Sequence, residues 1–502
     1  MDFKNTHLPS VCYEIFVRSF CDSNQDGIGD LNGITSKLDY LQDLGIEAIW
    51  LTPIFKSHSY HKYDVVDYWS IDSEFGTLDD FKELITTAHL KGIKVFLDFV
   101  INHTSKKHPW FVEAKKGPGN SFRNYYNWLS KSDIKARGIA IREITDDSSE
   151  VNPWHLANIG DNEKYYGMFW SGMPDLNMDH NLVRNEIYNI GKFWLEKGVD
   201  GFRMDAAKHI YPDWEIGKCH NFWDEFRQKM EEVNPNVYLV GEVWTSAEKV
   251  APFFKGLKAN FNFDLCFAIQ DIVKTGKDKK EIVKMLIKNY AIFEKVNPNF
   301  IDATMLGNHD INRIGGLADG NIGKLKMAAS LLLLLPGNSY IYYGEEIGML
   351  GSKPDENLRE AFLWDSRFVD KDRTNWRKPK YNTDSKVSPL KIQELNPDSL
   401  FNHYRTLISL RKRFNGLNQN LKPNLLASET IKKGIISFIR PYKNEDILVL
   451  QNITSKIIEI RIEEEFESIL FQSNLSNQLN NSIAKLDAYG ILVLKLKNRS
   501  LL

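Results

Sequence analysis

Short apolar runs alternate with amphipathic stretches from the start of the chain to about residue 350, the pattern of βα units around a parallel sheet. The predicted strands are VCYEIFVRS from Val11, IEAIWLTP from Ile46, KVFLDFV from Lys94 and VDGFRMD from Val199. VYLVGEV from Val237, ANFNFD from Ala259, NFIDATML from Asn299 and SYIYYGE from Ser339 follow. Eight such strands are what a closed (β/α)8 barrel requires. A helix is predicted over Leu78–Lys91, after Thr77, because Phe81, Leu84, Ile85 and Ala88 fall on one face. The expected fold class is α/β.

One interruption breaks this rhythm. After the third strand, near Asn102, about 75 residues pass before the next long helical pattern, Asn181–Lys197. The gap is polar, turn-rich and aromatic, with Trp110, Tyr125, Tyr126, Trp128, Trp154, Tyr165, Tyr166 and Trp170. A structureless loop of that length does not suit a compact domain, so a small inserted subdomain is expected, over 104–176. Its aromatic rings are either core or platforms for sugar stacking. From about Leu417 the pattern changes to alternating strands (GIISFIR, DILVLQNI, SKIIEIRI, SILFQ, GILVLKLK), the mark of an antiparallel β-domain. The expected organisation is a barrel over 1–103 and 177–416, the insertion, and a C-terminal β-sandwich over 417–502, with the Asn-rich QSNLSNQLNNS as a solvated loop.

Composition removes several function classes. The 64 Lys and Arg offset 66 Asp and Glu, so no global field favours nucleic acid or an anionic membrane, and neither is an expected partner. The longest aliphatic run, Leu331–Leu335, is far below a membrane span. The start of the chain lacks the basic and apolar regions of a secretory leader. Cys12, Cys21, Cys219 and Cys266 form no CxxC pair. These features lead to the expectation of a cytoplasmic protein with reduced thiols, a secreted mature form being the alternative.

Chemistry gathers where barrel strands end, the rim that carries active sites in this architecture. In order these ends show Asp98 with Asn102 and His103, Arg203 with Asp205, Glu242, and His309 with Asp310. A single Asp after a strand commonly caps the next helix, but capping does not explain four such sets at matching depth. Hydrolysis of a glycosidic acetal needs an acid near the leaving oxygen and a second carboxylate near the anomeric carbon. Arg203, two positions before Asp205, shares its face and favours an ionised nucleophile there. Val243 and Trp244 beside Glu242 are the apolar surroundings that suit a general acid. Asp310, with His309, is placed to bond sugar hydroxyls more strongly in the transition state.

The segments DFVINH from Asp98, GFRMDAAKH from Gly201, GEVW from Gly241 and LGNHD from Leu306 resemble the four signature segments of the α-amylase superfamily, glycoside hydrolase family 13. IEAIWLTPI and MPDLN at Met173 agree with it. The resemblance implies a TIM barrel in which Asp205 is the nucleophile, Glu242 the acid/base and Asp310 the transition-state stabiliser. It makes Arg203 the arginine beside the nucleophile, and His103 and His309 contacts to the sugar in subsite −1. Tyr63 resembles the tyrosine that stacks on that sugar, with Asp64 beside it, and Lys208 and His209 resemble contacts to the leaving-side glucose. His61-Lys62 stands where many members carry His-Gly or Met-Gly.

The implied reaction is retaining, with the two carboxyl groups about 5 Å apart, whereas inversion needs roughly 6.5–9.5 Å. MPDLN is intermediate between the QPDLN of oligo-1,6-glucosidase-like members and the MPKLN of neopullulanase-like ones. With Ala206 where others carry Val, this resembles α-1,4 preference. The expected substrate is therefore an α-linked gluco-oligosaccharide or polysaccharide. A glucanotransferase or a trehalose-synthase-type isomerase would use the same residues, and a non-catalytic barrel is the reading from another class.

A metal is also expected. Asp22, Asn24, Asp26 and Asp30 put oxygen donors at positions 1, 3, 5 and 9 of an EF-hand-type loop, with Gly27 at 6 and the Ile28 carbonyl at 7. The Glu of position 12 is replaced by Gly33. A similar loop binds Ca2+ in oligo-1,6-glucosidase-like members, which implies a structural Ca2+, an Asx-turn-rich loop being the alternative. Asn102 matches a second Ca2+ position of many α-amylases but is read first as a hydrogen-bonding Asn. His58 and His61 lack the further ligands a zinc site needs.

Overall fold

The computed structural model describes residues 8–144, 148, 150–418, 424–443, 445–473, 478–480 and 482–497. Eight strands form the barrel: β1 (Val11–Ile15), β2 (Ala48–Leu51), β3 (Lys94–Phe99), β4 (Gly201–Met204), β5 (Tyr238–Gly241), β6 (Ala259–Phe261), β7 (Ile301–Met305) and β8 (Asn338–Tyr342). They hydrogen-bond in sequence order and close on themselves. The ladders β3–β4, β4–β5, β7–β8 and β8–β1 are parallel. Every expected barrel strand is present, each shorter than its apolar run. Every residue of β1, β2, β5, β7 and β8 is buried, which is why these strands read as continuous rather than alternating runs.

Contacts divide the chain into two compact units. The first comprises residues 1–49, 87–93 and 261–502, and the second residues 50–86 and 94–260. In the second unit an antiparallel ribbon, Phe55–Ser57 against Val65–Ile71, was not foreseen; it is short and half-exposed, so its alternation is weak. The helix Leu78–Leu90 starts as expected, with a reciprocal cap. Asp80 N donates to Thr77 Oγ1, and Thr77 N donates back to an Asp80 carboxylate oxygen at 2.7 Å.

The insertion has its own elements: short helices Pro109–Ala114 and Lys131–Ala136, and a sheet of Trp128–Ser130, Glu163–Tyr166 and Trp154–His155. Ile134, Trp154, Tyr166 and Met168 form its small core. The isolated bridges His103–Asp175 and Tyr126–Leu176 stitch MPDLN onto the residues after β3 and onto the insertion.

In the first unit, β9 (Ile435–Arg440), β10 (Ile447–Asn452), β11 (Ile458–Arg461), β12 (Phe466–Gln472), β13 (Ile483–Leu486) and β14 (Ile491–Leu496) form the antiparallel C-terminal part. With two short strands they make a five-stranded and a three-stranded sheet. Leu448, Leu450, Ile460, Leu486, Leu492 and Leu494, from both sheets, share one core. Within the Asn-rich segment, 478–480 pair with β13, whereas 474–477 and 481 lie outside the described residues. Among the described residues no helix is long and apolar enough to cross a membrane. All four cysteines are buried and none is in a disulfide.

Candidate active site

The ends of β3, β4 and β5 are level. Asp98 pairs with Arg203, Phe99 and Gly241 each with Met204, so the next residues, Asp205 and Glu242, leave the sheet at the same height. Arg203, 1% exposed, joins them. Its Nη1 lies 2.8 Å from Asp98 Oδ1 and 2.6 Å from Asp205 Oδ1, and its Nη2 lies 2.9 Å from Glu242 Oε2. Burial alone would weaken the Arg203 cation, but Asp98 and Glu242, then Tyr63 and Asp205, outweigh it and hold its pKa well above the usual value.

Supporting groups fix this cluster. Tyr63 Oη donates to Asp98 Oδ2 at 2.8 Å, and Trp50 Nε1 donates to the same oxygen at 3.2 Å. The Trp50 and Tyr63 rings lie 5.1 and 5.8 Å from the guanidinium carbon of Arg203. Ala206 N donates to Glu242 Oε2 at 3.1 Å. Ala206 itself is left-handed, at φ 46°, a conformation that costs a side chain about 1–2 kcal/mol and is expected where a site needs it. Burial lowers the pKa of His103 despite the nearby Asp205 and Asp64 carboxylates, and its Nε2 faces the Tyr63 carbonyl at 3.1 Å.

The structure therefore brings together Tyr63, His103, Arg203, Asp205 and Glu242. Asp64 is less open to a ligand, since Ser57 Oγ at 2.6 Å and Ser59 Oγ both donate to it. Lys208 Nζ donates to the Trp244 carbonyl at 3.0 Å, and His209 is buried with its ring edge-on to Phe169. Asn102 donates its amide toward His103 at 3.3 Å, while its Oδ1 is buried without a hydrogen-bond partner among the described residues.

A second cluster follows β7. His309 Nδ1 lies 2.6 Å from Glu14 Oε1 and its Nε2 lies 2.9 Å from Asp310 Oδ2. Arg359 Nη2 donates to Asp310 Oδ1 at 2.7 Å. Burial works against the imidazolium, but Asp310 and Glu14 push His309 up to about 10. Burial would raise Asp310, yet His309 and Arg359 hold it well below the usual carboxylate range. Sequence reasoning found Asp310 and His309 but not Glu14 or Arg359, which lie 295 residues from His309 and 49 from Asp310.

Lys62, at the position where the family resemblance implies glycine in many members, adopts φ 65°. It is nearly fully buried, with Nζ 2.9 Å from Asp72 Oδ2 and 2.5 Å from Glu74 Oε2.

The Asp22–Asp30 loop folds around its own oxygens. Asp22 accepts the amides of Gln25 at 2.6 Å and Gly27 at 2.7 Å, and Asp26 accepts that of Ile28 at 2.8 Å. Asp30 accepts Ser23 N at 2.9 Å and caps the next helix through Gly33 N at 2.7 Å. Gly27 needs its φ of 92°, and a Cβ there would stand 2.2 Å from Asn375 Oδ1. Among the described residues no three His, Cys, Asp or Glu side chains stand together as a metal cluster. A cation here would draw on the Asn24 and Ile28 oxygens besides the carboxylates. That all-oxygen set is of the kind Ca2+ takes.

Comparison with known proteins places this geometry. The family model "Alpha amylase, catalytic domain" matches residues 14–420, and "Alpha-amylase SusG C-terminal domain" matches 435–493. Alpha-amylase 3 of Dictyoglomus thermophilum is 41% identical over 495 residues, covering 97% of this chain and 93% of its own. The 4-alpha-glucanotransferase of Thermotoga maritima is 35% identical over 398 residues, 78% of this chain and 84% of that one. The crystal structure of an alpha-amylase from H. orenii matches with a TM-score of 0.88 at 39% identity, covering 98% of this chain and all of the other. A barrel whose strand ends hold paired carboxylates, matched along nearly its whole length by such relatives, is a glycoside hydrolase acting on α-glucans, and the chain belongs to the α-amylase family.

Proposed function

We propose that this α-glucan hydrolase cleaves α-1,4-glucosidic bonds of maltooligosaccharides or starch-type glucans with retention of configuration. The observation that carries the reading is the single buried guanidinium of Arg203 that holds Asp205 and Glu242 side by side, an arrangement that suits the close carboxyl spacing of retaining enzymes. Asp205 attacks the anomeric carbon as Glu242 gives its proton to the departing glycosidic oxygen, leaving a β-linked glycosyl-enzyme. Glu242 then takes a proton from water, whose oxygen displaces Asp205 and yields an α-configured product. Asp310 is the family's third carboxylate, kept ionised by His309 and Arg359.

The relative named 4-alpha-glucanotransferase supports a second reading, in which a sugar hydroxyl replaces water in the last step. Product analysis separates them. Maltoheptaose should give only shorter chains, and the first product should be the α-anomer by NMR. Longer chains, a rearranged disaccharide from maltose or a β-anomer would overturn the assignment.

We further propose that Asp22, Asn24, Asp26, Ile28 and Asp30 hold a structural Ca2+, supported by their all-oxygen donor set. Calcium at about 100 times its Kd then adds about 2.7 kcal/mol of stability, and EDTA lowers Tm. Asp26→Ala, at an exposed position, should abolish that calcium dependence; a Tm indifferent to both reagents would exclude the ion. Four buried cysteines outside any disulfide support work in a reducing, cytoplasmic compartment.

A further inference from the structure

We infer that this chain carries a second carbohydrate site, an α-glucan docking platform built on Trp214 at the insertion and separate from the catalytic carboxylates. A cavity of about 370 Å3 is lined there by Trp214, Trp154, Trp128 and Arg123, among others. None of Tyr63, His103, Arg203, Asp205 or Glu242 lines it.

Trp214 is 43% exposed, as are Trp69 and Trp170 to a similar degree, but of these three it alone lines the cavity. It is not loose. Its ring lies nearly parallel to Trp154, 6.3 Å between centroids at 17°, and edge-on to Tyr166 at 5.5 Å. A backed indole with one face open is a preformed surface for the C–H face of a pyranose, and its ordering cost is already met within the fold.

Beside it, two buried donors lack acceptors among the described residues. Among the described residues Trp128 Nε1 has no hydrogen-bond partner, nor has Nε of Arg123, a residue only 7% exposed. Arg123 is otherwise committed: Nη1 donates to the Ala114 carbonyl at 3.1 Å, Nη2 to Glu163 at 2.6 Å, and its guanidinium carbon stands 3.3 Å from the Trp128 ring centroid. An unsatisfied buried donor costs about 1–3 kcal/mol, and because protein atoms cover both nitrogens, a sugar in the cavity meets the Trp214 ring and the polar lining rather than these N–H groups.

The acids of the lining are paired, and Arg137 lines the cavity beside them. Glu163 is neutralised by Arg123, while Asp179 and Glu215 share Lys218 at 2.7 and 3.0 Å. A backed stacking face beside the polar side chains of Asn124, Asn127 and Asn177 describes a site for a neutral polyhydroxyl chain. Since the chain hydrolyses α-glucans, the occupant is a segment of the same polymer, held while another segment is cut.

The test uses the full chain carrying Asp205→Asn, so that the polymer survives, run through native gels containing amylopectin or, as control, galactomannan. Trp214→Ala should weaken retardation by amylopectin about threefold to tenfold, the value of one stacking contact. Trp214→Phe, which keeps an aromatic face but a smaller one, should weaken it in the same direction and by less. Neither should change mobility in galactomannan. In the otherwise wild-type enzyme, kcat/KM for maltotriose should stay unchanged in both variants. Undiminished retardation in both variants overturns the proposal. So does a parallel fall of kcat/KM on maltotriose, which would make the cavity part of the catalytic cleft. Failure of the wild-type chain to cut maltotriose would instead count against the proposed cleavage specificity.

Discussion

Replacing Asp205 by Asn should lower kcat by about 10^4-fold or more, the scale seen when a covalent nucleophile is removed. The substitution is nearly isosteric and keeps an oxygen for the Arg203 hydrogen bond, 2.6 Å long in the native site, so folding and glucan affinity should change little. Glu242→Gln should cost about 10^2–10^4-fold, the range for a general acid. Leaving-group dependence distinguishes the two. Aryl glycosides with acidic phenols need little protonation, so they should recover much of the rate in Glu242→Gln and almost none in Asp205→Asn. Rates within a few-fold of wild type in Asp205→Asn would rule out covalent capture by this residue.

Arg203→Met should be the most damaging change to stability. It removes a guanidinium that contacts three carboxylates, one of them fully buried. Stripping one partner from a buried pair costs about 3–5 kcal/mol, and Met restores volume but not charge. The variant's deficit should depend on pH with a definite sign. Carboxylates left without the cation have raised folded-state pKa values, so the folded state binds protons that the unfolded state releases, and stability falls as pH rises. Denaturant midpoints should therefore lie closer to wild type at pH 5 than at pH 7. Arg203→Lys should not restore the native value, because a point ammonium cannot span Asp205 and Glu242 as two nitrogens of one plane do. A loss under about 1 kcal/mol at pH 7 would mean that water or another group already screens the cluster.

Much of this site was legible because its logic is local. The period-two relation of Arg203 and Asp205 predicted a shared face, and the 2.6 Å contact follows from it. Buried parallel strands announce themselves as unbroken apolar runs, so all eight were found, with only their ends misjudged. The missing partners are those that only folding assembles. Glu14 sits on β1 inside VCYEI, where it reads as a flaw in an apolar run, yet it orients His309. Arg359 lies in a stretch without periodicity, and nothing in its neighbours points to Asp310. Trp50 reads as core within AIWL and is core, but it also donates to Asp98. In the insertion, rings could be counted, but which of them faced outward was beyond composition; Trp214 lies outside the stretch that drew attention.

Lys62 carries a lesson about how this loop can change over generations. Glycine would relax the left-handed backbone by about 1–2 kcal/mol, but it would take the cation from Asp72, which is 5% exposed and would keep only the Ser57 and Glu74 amides, and from Glu74. Either change alone should therefore cost stability, the glycine by removing the cation that Asp72 and Glu74 share and the loss of acids by leaving Lys62 buried without them. Grafting a glycine-bearing segment from a relative onto this scaffold should succeed only when positions 72 and 74 are exchanged in the same step.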